Sequence, residues 1–129
     1  MTGSILYLLE KSSNFAQSFK KLAKNYNPDF IATVANCLEA LILEPYPSKS
    51  RDEPLPKRTR LPQGWTFHKL ELWVRKGASG QIRIMYLVNE EVREIKLFWI
   101  YNHEQFSKRP SDDEIDDAIK EFFFKFYCF

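Results

Sequence analysis

The chain has 129 residues and a mass of 15.3 kDa, with 44% hydrophobic, 28% charged and 16% aromatic residues and a net charge of +2. That length fits one domain spanning residues 1–129, and eleven Phe exclude a disordered chain. No apolar run reaches the roughly 20 residues of a spanning helix, residues 1–11 lack the charge and apolar stretch of a leader peptide, and two cysteines, Cys37 and Cys128, cannot build a disulfide scaffold. These exclusions predict a cytoplasmic protein that does not engage a membrane.

In chain order, residues 4–10 read as a short buried strand. Ser12 or Ser13 can cap a helix in which Phe15, Phe19, Leu22, Ala23 and Tyr26 share one face. Asn27-Pro28 is a second helix start, and Phe30, Ile31, Val34, Leu38, Leu41 and Ile42 keep helical spacing until Pro45 ends it. Two helices so closely linked predict a hairpin whose apolar faces seek a sheet. Residues 45–64 hold five of the seven prolines and the cluster Lys57, Arg58 and Arg60, and read as a long irregular basic loop. Three period-2 runs follow: Phe67–Arg75, then 81–88, then Glu94–Tyr101, an antiparallel meander. On this period Leu97, Trp99 and Tyr101 share the core face. Ser111 with Glu114 forms a capping box, and Ile115, Ala118, Ile119, Phe122, Phe123 and Phe126 make the stripe of a last helix. The expected fold is α+β: an N-terminal strand, a helical hairpin, a three-stranded antiparallel meander and a C-terminal helix, with the helices on one sheet face. The surplus aromatics Phe124, Tyr127 and Phe129 suggest either a contact surface or a tail curled over the helices.

Charge is unevenly placed. Residues 49–76 hold eight basic residues against three acidic ones, and residues 111–129 hold six acidic against two basic. A basic middle could meet a polyanion, or both segments could be solvated faces. Cys37, His68, His103 and Cys128 lack metal-site spacing, and four glycines form no phosphate-cradling loop, so no metal or cofactor is expected.

The element order, the run Leu-Glu-Leu-Trp-Val-Arg over 70–75, the run Ile-Arg-Ile-Met-Tyr over 82–86, and Lys108-Arg109-Pro110 before Glu114-Ile115 and Ala118 together resemble the RelE/ParE superfamily of toxins from bacterial toxin–antitoxin pairs. The chain departs from that pattern after the last strand, where Tyr101-Asn102-His103-Glu104-Gln105-Phe106 replaces a lysine-rich segment, and in its longer Pro-rich loop. The resemblance implies the fold and a RelE-like activity: metal-independent endoribonucleolytic cleavage of ribosome-bound mRNA, blocking translation and silenced by a cognate antitoxin. It implies that Arg83 contacts the scissile phosphate.

Such a cleavage needs a cation for the charged phosphorane and groups that move protons to and from oxygen. Arg83 lies on the mixed face opposite Ile82 and Ile84; a surface pairing with Glu71 or Glu94 is its bland alternative. Lys69 and Arg75 fall on the same face and could complete a cationic floor. His103 and Tyr101, at the end of the last strand, are the candidate acid and base, with a turn histidine and a packing tyrosine as alternatives. Lys76, Lys57, Arg58 and Arg60 join Arg75 as candidate RNA contacts. His68 alternates with core residues and reads as a satisfied interior histidine. Within the same resemblance stand two other readings: a ParE-like inhibitor of DNA gyrase that is no enzyme, and a binding module that keeps the fold without the site.

Overall fold

The computed structural model describes residues 6–77 and 80–124. Strand β1 (Leu8–Lys11) leads into helix α1 (Ser13–Ala23), whose N-cap Ser12 accepts from the Phe15 amide at 3.0 Å. Helix α2 (Pro28–Leu43) starts at Asn27, which accepts from the Asp29 amide at 3.1 Å, with Pro28 supplying its fixed φ at the first turn. It stops two residues before Pro45, where a helical conformation of the preceding residue is disfavoured. Strands β2 (Ser50–Asp52), β3 (Trp65–Trp73), β4 (Gln81–Asn89) and β5 (Glu94–Asn102) precede helix α3 (Asp112–Phe124). In the capping box the Glu114 amide donates to Ser111 Oγ, and the Ser111 amide donates to Glu114 Oε1, both at 3.2 Å.

The sheet order is β1-β5-β4-β3-β2. The three long strands form the expected antiparallel meander, and β1 joins its edge in parallel with β5. Two elements shift from expectation. The first strand runs over Leu8–Lys11 among the described residues and is mostly exposed, not buried as expected, because it is the sheet edge; residues 4 and 5 of the expected run lie outside the described residues. The Pro-rich stretch is not wholly irregular, because Ser50–Asp52 pairs with Leu70, Lys69 and His68 as the outer strand. Three residues carry too little periodicity to be read as a strand.

The helices do not share one face. Phe15, Leu22, Phe30, Val34 and Leu41 of α1 and α2 pack on Leu70, Ile82, Ile84, Tyr86, Val88, Ile95 and Leu97. Ile115, Ala118 and Ile119 of α3 pack on Phe67, Met85, Leu87, Phe98 and Tyr101, the opposite face. The reason is in β4. It is apolar on both sides, with Met85 and Leu87 fully buried like Ile82 and Ile84, and two apolar faces need two covers.

A bulge in β5 carries the most consequence. Met85 pairs with Trp99 but Tyr86 pairs with Leu97, so Phe98 has no opposite partner. The alternation therefore changes phase. Ile95, Leu97 and Ile100 face α1 and α2, whereas Phe98 and Tyr101 face α3. The strict period read from sequence, which kept Tyr101 in phase with Leu97, fails here because one extra residue moves all that follows to the other face.

Candidate active site

The extra residue at Phe98 places Arg83 of β4 directly opposite Tyr101 of β5, and opposite Glu71 of β3 on its other side. One position past β5, the His103 amide donates to Gln81 O at 3.1 Å. Its side chain shares the face of Arg83, and Arg83 Nη1 lies 3.0 Å from His103 Nδ1. A guanidinium has only donors, so Nδ1 is the acceptor. Arg83 Nη2 is 3.5 Å from Glu71 Oε2, which also accepts from Gln81 Nε2 at 3.3 Å. Glu71, Arg83 and His103 thus form one row across the sheet: carboxylate, guanidinium and imidazole.

The turn that carries His103 is held by Asn102, a buried residue the sequence reading did not single out. Asn102 Oδ1 accepts from the Gln105 amide at 2.8 Å, Gln105 Oε1 accepts from the Asn102 amide at 3.0 Å, and Asn102 Nδ2 donates to Tyr26 Oη at 3.0 Å. An Asn followed three residues later by a side-chain acceptor was the available signal.

The remaining predicted residues separate. Tyr101 adjoins Arg83 but is fully buried; its hydroxyl donates to Lys108 O at 3.1 Å, and burial raises its pKa well above the ordinary phenol value. That is the packing place, not a free acid. Lys69 lies on the same face, one row away, with Nζ 3.4 Å from Glu53 Oε1 and both side chains under 10% exposed. Burial lowers its pKa, and Glu53 opposes that shift. Glu53 Oε2 also holds Arg109 Nη1 at 3.0 Å, and Arg109 binds Pro54 O at 2.7 Å and Asp112 at 3.0 Å. Glu53 and Arg109, neither anticipated, therefore fasten the Pro-rich loop to β3 and to the start of α3.

Arg75 is not on the floor. It lies beyond the end of β3, its guanidinium 4.6 Å from the centre of the Tyr26 ring, which packs with α1 and α2. Lys76 is exposed beside it. Lys57 and Arg58 line a cavity of about 330 Å³ with Asp112, Asp113, Asp116 and Lys120. Thr59 Oγ1 donates to Asp116 at 2.7 Å there, and Arg60 is exposed on the same loop. A polyanion reaching these cations would meet three carboxylates as well.

His68 is the interior histidine expected. Its Nδ1 is 3.3 Å from Asp52 and its Nε2 is 2.6 Å from Thr66 Oγ1, and burial lowers its pKa. It borders a cavity of about 590 Å³ with Tyr46, Asp52, Thr66 and Glu90, lined by none of the predicted catalytic side chains. Among the described residues no group of three or more His, Cys, Asp or Glu is placed to hold a metal ion, and no helix is long and apolar enough to cross a membrane. Cys37 is half-buried and free, and burial raises its thiol to about 11; Cys128 and the surplus aromatics Tyr127 and Phe129 lie outside the described residues, as does the side chain of Phe124.

These elements in this order make an α+β fold, the RelE-like one. One solved structure shares it, and two others match more loosely. The archaeal RelE–RelB complex from Pyrococcus horikoshii OT3 matches with a TM-score of 0.52 at 16% identity, over 75% of this chain and 94% of that one. A mutant of the E. coli toxin RelE in the free state matches with a TM-score of 0.48 at 14% identity, over 79% and 88% of the two chains. A conserved hypothetical protein of Helicobacter pylori gives 0.43 at 17% identity, over 78% and 98%. No family model and no curated protein matches the sequence. The likeness is one of fold, carried by the first of these structures.

Proposed function

We propose that the chain is the toxin of a toxin–antitoxin pair and an endoribonuclease that cuts ribosome-bound mRNA and blocks translation in the cytoplasm. The observation that carries this reading is the 3.0 Å contact between Arg83 and His103, which puts a phosphate-binding cation beside a proton-transfer group on one face. In the proposed reaction the ribose 2′-hydroxyl loses its proton and attacks the adjacent phosphorus. The P–O5′ bond then breaks, leaving a 2′,3′-cyclic phosphate and a free 5′-hydroxyl. Arg83 neutralises the phosphorane charge as a fixed donor, and His103 moves protons between the two oxygens. The likeness to a RelE–RelB complex supports an antitoxin as the partner.

The test is cleavage of mRNA on purified ribosomes, read by mapping the new ends. Arg83→Ala should lower the rate by about 10²–10³-fold, and His103→Ala by about 10²–10⁴-fold. Intact mRNA under active wild-type protein would end this reading. A second one has its own support. Lys69 is neutralised by Glu53 and Arg75 is stacked on Tyr26, so the predicted cationic floor is largely engaged, as suits a binding module without catalysis, such as a ParE-like gyrase inhibitor. Inhibition of gyrase supercoiling with mRNA left whole supports that alternative.

A further inference from the structure

The Arg83 guanidinium is incompletely used. Nη1 is engaged by His103 at 3.0 Å, and Nη2 has only the 3.5 Å approach of Glu71. Nε, in a side chain about nine-tenths buried, has no hydrogen-bond partner. A buried donor without an acceptor is uncommon in a folded protein and asks for an explanation. Glu71 does not supply it: one of its oxygens serves both Nη2 and Gln81, at 3.5 and 3.3 Å, and neither reaches Nε. A two-oxygen anion approaching side-on would take Nε and Nη2 together, the fork geometry in which a guanidinium binds phosphate best.

We infer that Glu71 is a displaceable internal anion, holding Arg83 in the free protein in place of a phosphodiester that bridges Nε and Nη2 when it binds. The carboxylate has the same charge and poorer geometry, so it keeps the guanidinium oriented yet yields to the better ligand. Nη1 is not part of that fork, so its 3.0 Å contact with His103 Nδ1 can stay in place while phosphate displaces Glu71. Glu71 is therefore a positioning residue: it sets how strongly a ligand must bind before it takes Nε and Nη2. This rests on the reading of Arg83 as a phosphate site but not on cleavage.

The test is binding of a fluorescently labelled RNA, fully 2′-O-methylated and so uncleavable, followed by anisotropy. Glu71→Gln keeps an oxygen for Gln81 and is close in shape. It should tighten binding by about two- to fivefold, the upper part of the range for a partly exposed ion pair. In an Arg83→Gln background the same change should do nothing, and Glu104→Gln, which removes an exposed charge next to His103, should change affinity less than twofold. The Arg83 Nε–H resonance should shift on RNA addition, and should do so at lower RNA concentration in Glu71→Gln. No tightening in Glu71→Gln, a gain that persists without Arg83, or no binding by any form overturns the inference. Cleavage that needs Arg83, with no gain in Glu71→Gln, would sink this inference alone. A gain that needs Arg83, with no cleavage by any form, would keep it and remove the nuclease reading.

Discussion

The two faces of the sheet are held by different physics. Beneath α1 and α2 the packing is apolar from Ile82 to Val88, and the hydroxyl of Tyr86 is answered by Pro45 O at 2.8 Å. Beneath α3 the apolar patch covers only the middle, and toward Arg83 the face becomes ionic: Lys69 and Arg109 share Glu53, and Arg83 meets Glu71. Apolar contact is non-directional and adds up with area. Buried ion pairs fix positions, and each depends on its partner, because removing one leaves a buried charge uncompensated. The first face supplies stability; the second sets where functional groups stand.

Breaking the ionic face should have the largest effect. Glu53→Ala strands Lys69 and leaves Arg109 only Pro54 O and Asp112, and should cost about 3–5 kcal/mol in urea unfolding; a cost under about 1 kcal/mol would show that water already screens these charges, and the contrast would fail. On the first face, Ile84→Ala opens a cavity under α1 and α2 and should cost about 2–5 kcal/mol by the same measurement, while leaving the Arg83–His103 contact and any activity that depends on it in place. Ser111→Ala removes the cap of α3 and should cost about 1 kcal/mol. His68 sharpens the comparison most gently. Burial lowers its pKa below the ordinary 6.5, so the unfolded chain takes up its proton first as pH falls. Stability from this group is complete above about pH 6.5 and is lost as pH drops below it; His68→Gln should flatten that limb of the pH–stability curve.

The order of elements and most of their bounds were legible because they rest on local signals. Ser12 and Asn27 cap the first two helices, Pro45 limits the second, and Ser111 with Glu114 opens the third. Period-2 alternation marked the meander. β2 escaped, since three residues between prolines have no period of their own and exist as a strand only by pairing with β3. Arg83 was legible as a candidate from its place on the mixed face, and the pairing with Glu71 that stood as its alternative is present at 3.5 Å. Glu53 and Arg109 were not, because their partners are far along the chain: 16 residues separate Glu53 from Lys69 and 56 separate it from Arg109.

Neighbouring residues settle helix caps and ends, strand alternation and an α+β plan between themselves, so these can be read along the chain. Which face each group finally shares depends on contacts across the sheet. One unpaired residue, Phe98, reverses the phase of β5, and by that reversal His103 lies beside Arg83 rather than under α1 and α2. A bulge is a property of two strands in register, and no single strand's pattern contains it.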